Sequence, residues 1–468
     1  MISETSSARH RYALKEQLRL FASDDLSLVA PDVLKQCQME LSKRERLAAL
    51  LEGDLNFHGK KNGYASHNLH SFAAKFPPQL PRTFIRGLSN PGDVVLDPMM
   101  GSGTTVVEAF QEGRQAIGID IDPLALRLGH AKVMTNNGVI LQDSWNKVIK
   151  KAYELLSKKG KVDQYLTRFF DDRTRAFVDY WFLPETQREL MALVIAIQDI
   201  TDKGSRQFLE LTFSSIIVTK SGGVTKARDL AHGRPHIDKK KMPKNALEQF
   251  SIRMSKNFNS FEKKKTTGPS ANIIAGDARS MPLANEMVDL IVTSPPYANA
   301  IDYMRAHKFS LVWFGKSIPE LSKLRAEYIG SERIGQIPLV ELPDRPQKIL
   351  KQLQELDPKK SAILLKYFIE MKAILSEMFR VLRKDSVAIV VVGTSVMRNL
   401  DIQTHNCLAD ISSSLGFDVV GVSQRSLDRN KRMMPARFGQ KSGSMIEQRM
   451  HEEYVIGLLK PKSSKISA

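Results

Sequence analysis

Two short stretches carry residues whose types and spacing can do chemistry. The first is LDPMMGSGTT, Leu96 to Thr105. An apolar run ends in Asp97-Pro98, and Gly101 and Gly103 precede a helical pattern that starts at Thr104. Glycines at a strand-to-helix turn let a ligand come close to the backbone. A triphosphate cradle needs Gly-Lys-Ser/Thr at this point, and Gly103 is followed by Thr104 instead. A dinucleotide fingerprint needs a third small residue three places after the second glycine, where Val106 stands. The strand-end carboxylate of Asp97 suits a cationic or hydroxyl-bearing ligand better than a pyrophosphate. Asp120 and Asp122 close the next apolar run and can accept hydrogen bonds from ribose hydroxyls. Asp277 closes a third run, so acidic residues recur at successive strand ends.

The second stretch is VDLIVTSPPYANA, Val288 to Ala300. Its apolar part stops at Thr293, and Ser294, Pro295, Pro296 and Tyr297 follow. Neither proline can donate to a ladder, and each fixes its own φ, which holds the tip in one shape with its carbonyls outward. Those carbonyls and the Ser294 hydroxyl can accept hydrogen bonds from an amino group. Tyr297 offers a flat surface on which a base can stack. Alone, the tetrapeptide reads equally well as a rigid turn. Beside a glycine-rich ligand loop at the same sheet edge, it reads as half of a site.

Elements able to position these residues are visible as seven apolar runs, at 93–98, 115–122, 271–278, 288–297, 386–394, 417–426 and 452–460. Several are nearly continuous in Val, Ile and Leu, as in strands buried on both faces of a parallel sheet. Helical patterns lie between many of them, which predicts a doubly wound α/β fold of seven strands. The last two runs lack an intervening helix and predict an antiparallel edge. Residues 1–60 read as an N-terminal helical extension, with Pro31 at a helix start and Gly53 at a helix end. Residues 61–135 and 269–465 read as the catalytic core. Residues 136–268 read as an inserted, mainly helical subdomain with a basic loop, the candidate for DNA recognition. Residues 315–360 are polar and proline-containing and read as a long loop or lid.

Composition narrows the class. The 468 residues include 69 Lys and Arg against 51 Asp and Glu, a formal net charge of +18. That excess favours a polyanionic partner, most simply nucleic acid. The two cysteines, Cys37 and Cys407, are too few and too distant for a disulfide framework or a four-cysteine zinc site. His232 and His236 have no partner ligands nearby, so no metal is expected. The start lacks an apolar signal core, and no run is long enough to cross a bilayer. A cytoplasmic location and no membrane partner are the expectation.

Together, DPMMGSGTT and TSPPY resemble the cofactor and catalytic motifs of the amino-group DNA methyltransferases, which use S-adenosylmethionine. HSFAAKFPPQLP, His70 to Pro81, resembles the family segment that closes over the methionine part of the cofactor. RVLRKDSVAIVVVG resembles the fifth helix and strand of that family. The likeness spans roughly residues 64–135 and 270–460 and implies a Rossmann-like methyltransferase sheet. Met99 stands where the family usually has phenylalanine, and the cofactor motif precedes the catalytic one, the reverse of many relatives with Ser-Pro-Pro-Tyr. The resemblance implies that Asp97, Gly101, Gly103 and Thr104 line the cofactor, that Asp120 holds its ribose and Asp277 its adenine, and that Lys75, Phe76 and Pro77 meet its methionine end. It implies that Ser294, Pro295, Pro296 and Tyr297 hold a base flipped out of double-stranded DNA. Ser-Pro-Pro-aromatic is most often associated in this family with cytosine N4, so cytosine-N4 methylation is the expected activity. Adenine-N6 or RNA amino-group methylation on the same scaffold, or a non-catalytic DNA-binding relative, are the alternatives. Methylation at cytosine carbon 5 needs a cysteine nucleophile, conventionally after proline. Cys37 follows Gln36 and Cys407 follows Asn406. A restriction–modification system, with a cognate restriction endonuclease as companion, is the implied setting. Basic residues at Lys239, Lys240 and Lys241, and at Arg425, Arg429 and Arg432, are the expected phosphate contacts.

Overall fold

The computed structural model describes residues 2–23, 31–72, 75–135, 138–158, 160–219, 223–230, 235–262, 270–298, 302–333, 340–393, 395–427 and 452–463. The seven apolar runs form β1 (Val94–Asp97), β2 (Gln115–Asp120), β3 (Ser270–Ala275), β4 (Val288–Thr293), β5 (Leu382–Gly393), β6 (Asp418–Ser426) and β7 (Glu452–Lys460). They make one sheet in the order β3-β2-β1-β4-β5-β7-β6. The first five are parallel to one another, while β7 is antiparallel to both β5 and β6. This is the doubly wound Rossmann-like sheet. The expected antiparallel edge is present, with the last strand in sequence lying second from the edge. The more apolar β7 (EEYVIGLLK) is buried along most of its length, whereas the polar β6 takes the exposed edge.

The helices are α1 (Ile2–Ser23), α2 (Pro31–Glu40), α3 (Lys43–Glu52), α4 (Gln79–Leu88), α5 (Thr104–Gln111), α6 (Pro123–Val133), α7 (Gly138–Ser157), α8 (Lys161–Phe169), α9 (Asp172–Trp181), α10 (Pro184–Gln198), α11 (Lys203–Ile217), α12 (Ala246–Glu262), α13 (Met304–Leu311), α14 (Ile318–Glu327), α15 (Asp344–Leu356), α16 (Pro358–Val381) and α17 (Thr404–Ser414). Strand alternation assigns the two faces of the sheet. Val95, Leu290, Val292, Val387 and Ile389 join Leu47, Leu50 and Phe84 of α3 and α4 on one face. Leu96, Ile291, Ala388 and Val390 join Phe368, Met371 and Leu408 of α16 and α17 on the other. Helix α3 lies flush on the sheet because Gly457 has no side chain, and a Cβ there would come within 2.6 Å of Leu51 Cδ1.

Helices α7 to α12 fall between β2 and β3, and α10 and α11 form the centre of a third apolar cluster. That cluster also takes in Leu124 and Leu128 of α6 and Phe309 of α13. The 315–360 segment, expected as a long loop, contains α14, α15 and the start of α16. Ser317 and Glu320 form a reciprocal capping box that starts α14, with proline in its first turn. Among the described residues no helix is long and apolar enough to cross a membrane.

Candidate active site

In an open α/β sheet, ligands lie beyond the carboxyl ends of the strands where the strand order reverses. Here that point falls between β1 and β4, and the residues flagged in the sequence meet there. β4 ends at Thr293, whose hydroxyl donates to Asp97 Oδ1 at 2.7 Å. The same oxygen accepts the Met99 N–H at 3.2 Å. Burial pushes the Asp97 carboxyl up to about 6, against the pull of these hydrogen bonds.

The loop after β1 is held open by backbone geometry. Gly101 has φ +49° and Gly103 φ +74°, both in the left-handed region that side chains disfavour. Gly103 occupies the N-cap of α5. The Gly101 N–H donates to Asp120 Oδ2 at 2.7 Å, which ties the loop to the tip of β2. Asp120 Oδ1 accepts the Asp122 N–H at 2.8 Å. Burial, and then the neighbouring Asp122 charge, push Asp120 up to about 7. Asp122 caps α6 and contacts His307 Nδ1 at 2.5 Å. Burial works against its charge, yet His307 and the Leu124 N–H hold it below the usual carboxylate range.

A cavity of about 370 Å³ opens over these groups. Lys75, Phe76, Asp97, Gly101, Thr104, Asp120, Asp277, Ser294 and Pro296 all line it. Gly103, Pro77, Pro295 and Tyr297 are not among its lining residues. Pro77 instead supplies the carbonyl that accepts the Leu80 N–H at the start of α4. The Lys75 ammonium donates to the His67 and His70 carbonyls at 3.0 Å each, so it braces its own segment. Asp277 is gripped by Arg279 through Nε and Nη2, the latter at 2.6 Å. Tyr297 lies beside the cavity. Its hydroxyl donates to Glu453 Oε1 at 2.7 Å, and its ring sits over Gly393.

The basic residues separate. Arg425 is 3% exposed and donates to Glu453 Oε2 at 2.6 Å, so the expectation that it meets DNA phosphate is overturned. It faces inward from β6 onto a carboxylate of β7, which already uses its charge. Lys241 Nζ donates to the Ala227 carbonyl at 2.6 Å, while Lys239 and Lys240 are exposed on a turn. Arg429 and Arg432 lie outside the described residues.

Several cavity residues carried no sequence signal that the motifs used. Phe72 and Tyr303 line it and stack on each other, with ring centroids 5.3 Å apart. Asp302, Arg305 and Tyr328 also line it, from the segment that follows the Ser294–Tyr297 tip. Phe72 lies inside the HSFAAKF stretch, and Tyr303 stands six residues after Tyr297.

The site fits S-adenosylmethionine. The buried Asp97 carboxylate and the half-buried Asp120 offer acceptors for an ammonium and for ribose hydroxyls, and a glycine loop without Cβ atoms gives close backbone approach. Phe72, Phe76 and Tyr303 give apolar walls. Known proteins agree. A family model described as DNA methylase, for N6 and N4 enzymes, matches residues 38–130. The Type II methyltransferase M.MjaII of Methanocaldococcus jannaschii is 25% identical over 385 residues, covering 64% of this chain and 72% of its own. M.MvaI of Kocuria varians is 22% identical over 383 residues, covering 77% and 83%. M.AvaI of Nostoc sp. is 24% identical over 359 residues, covering 69% and 73%. With the motifs assembled at one strand crossover, the family model and the Type II relatives support the N6/N4 family of S-adenosylmethionine-dependent DNA methyltransferases.

Proposed function

We propose that the protein methylates the exocyclic N4 amino group of cytosine in double-stranded DNA, with the target base flipped out, as the modification enzyme of a restriction–modification system. The carrying observation is the Ser294-Pro295-Pro296-Tyr297 tip, which continues from a strand whose Thr293 is bonded to Asp97, with Ser294 and Pro296 facing the cavity. The relatives are Type II methyltransferases by name, which supports the setting.

When bound, S-adenosylmethionine supplies an electrophilic methyl group on a sulfonium sulfur. The protein's part is to position and to localise charge. The amino nitrogen of cytosine is conjugated with its ring and is a poor nucleophile. Ser294 Oγ and the Pro295 carbonyl accept its two protons as hydrogen bonds, which concentrates the lone pair on nitrogen. Tyr297 holds the ring plane. Ser294 would accept the proton that the amino nitrogen gives up on receiving the methyl group and pass it to solvent. Orientation of this kind can be worth about 7–11 kcal/mol of barrier. Flipping the base costs a few kcal/mol, approximately, and must be repaid by the pocket. Asp97, Asp120, Gly101 and Thr104 hold the cofactor, and Lys75 and Phe76 close its methionine end. Asp277 is assigned to the adenine edge, where Arg279 fixes its carboxylate.

Incubation with labelled S-adenosylmethionine and unmodified DNA, then nucleoside digestion, should give N4-methylcytosine. Label on adenine N6 sinks the cytosine assignment, and transfer only to RNA sinks DNA as substrate. We assign Lys239 and Lys240 of the α11–α12 connection to phosphate contact. Replacing both by alanine should lower the salt slope of DNA binding by about 2; an unchanged slope removes them from the interface.

A further inference from the structure

We propose that Glu453 and Arg425 are positioning residues for Tyr297, acting through its hydroxyl to fix the ring against Gly393 at the sheet's end. The inference rests on reading Ser294–Tyr297 as the target-base site. Three strands supply one row of residues. Gly393 of β5 stands opposite Glu453 of β7, and Glu453 stands opposite Arg425 of β6. The Tyr297 ring crosses from the end of β4 onto this row. A Cβ at Gly393 would lie 2.6 Å from Tyr297 Cε2 and 3.0 Å from Cδ2 and Cζ, so no side chain fits under the ring. At its far end the hydroxyl donates to Glu453 Oε1 at 2.7 Å, and Arg425 Nη1 donates to Glu453 Oε2 at 2.6 Å.

The arrangement divides the carboxylate between its two neighbours. Arg425 and Glu453 are both buried, and an ion pair taken out of water persists only where its geometry is well satisfied. The guanidinium fixes one carboxylate oxygen, which leaves the other aimed at the tyrosine. Charge-assisted bonds of this kind are shorter and stronger than neutral ones. Burial, and then the Glu453 charge, push the Tyr297 hydroxyl far above its usual range, so it stays a donor and takes no part as a base. A ring held at its root by Pro295 and Pro296, beneath by Gly393 and at its tip by Glu453 has lost its freedom before the base arrives. The antiparallel β7 therefore bears on the reaction, because only a strand between β5 and β6 can offer one carboxylate to both Tyr297 and Arg425.

Wild type, Tyr297→Phe, Glu453→Gln and the double variant are compared for turnover on DNA and for S-adenosylmethionine affinity. Each single change should lower kcat about tenfold with the cofactor Kd unchanged, and the double should be no slower than the slower single. If Glu453→Gln costs the same factor in the Tyr297→Phe background as in wild type, its role is only structural and the inference fails. Tyr297→Phe removes one hydroxyl and no packing, so wild-type kcat in that variant overturns the inference even if Glu453→Gln does not fold. Absence of transfer to DNA by the wild-type protein removes the site reading, and the inference with it. Transfer by wild type with multiplying losses removes the inference alone.

Discussion

At the scale of single residues, the site is a set of carboxylates poised between two states. Burial pushes Asp97 up to about 6 and Asp120 up to about 7, and both are assigned to cofactor binding in their ionised form. Each native carboxyl therefore binds its proton more tightly than the unfolded chain does. Between the ordinary carboxyl range and pH about 7 the native state holds the extra protons. These two groups thus favour folding of the ligand-free protein at the acid end of that window, and their contribution falls as pH rises through it. Cofactor affinity should run the opposite way, rising about a hundredfold from pH 5.5 to 7.5 by titration calorimetry. A flat profile would contradict carboxylate acceptance of the ribose and ammonium. Asp120→Ala should weaken cofactor binding by at least about tenfold. Tyr297→Ala should instead lose turnover with the cofactor Kd little changed. Equal effects of the two on cofactor affinity would refute the assigned roles. The strand-end acids were legible in the sequence because each closes a run of Val, Ile and Leu. The burial of Arg425 was not. Its inward direction depends on Glu453, twenty-eight places on, and pairing between strands is set by register that no local pattern displays.

At the scale of elements, the cofactor loop is shaped from below as much as by its own glycines. Met100 is 3% exposed and its side chain fills the space between β2 and α6. A Cβ at Gly118 would lie 2.4 Å from Met100 Sδ and 2.8 Å from Val106 Cγ2, and one at Gly129 would lie 2.8 Å from Met100 Cε. Gly118 also pairs with Asp97 across the sheet, so the crowded point sits directly under the site. Gly118→Ala should displace Met100, cost about 1–3 kcal/mol of stability and weaken cofactor binding. Denaturant melts paired with cofactor titration would check it. Loss of stability with unaltered affinity would show that the loop is independent of its support. In the sequence, Gly101 and Gly103 announce themselves by their place before a helix. Gly118 reads only as a weak residue within a strand, because close approach of another element is a property of packing. The same gap explains α14 and α15. Their sequence is polar and broken by prolines, yet a capping box and proline in a first turn start helices there.

At the scale of the molecule, the helices between β2 and β3 raise the question of whether they form a separate module. Their apolar cluster is continuous with the core, since it includes Leu124 and Leu128 of α6 and Met304 and Phe309 of α13. Polar contacts cross the same boundary. His70 Nε2 lies 2.9 Å from Ser214 Oγ of α11, and that hydroxyl donates to Ser310 Oγ of α13 at 3.0 Å. Arg253 of α12 donates to the Asn68 and Leu69 carbonyls at 2.9 Å each, from the segment that leads into Lys75 and Phe76. The helices thus hold in place the segment proposed to close over the cofactor, and the buried His70 and Ser310 would lose their partner Ser214 on removal of these helices. Buried donors and acceptors without partners cost about 1–3 kcal/mol each, and an exposed face bearing Leu124, Leu128 and Phe309 would draw other chains. The full chain should therefore unfold in one calorimetric transition across this boundary, and a variant with residues 138–262 replaced by a short linker should be insoluble or lose cofactor binding. Two resolved transitions, with a soluble deletion variant that still binds S-adenosylmethionine at wild-type affinity, would establish instead that these helices are an appended recognition module with no part in building the site.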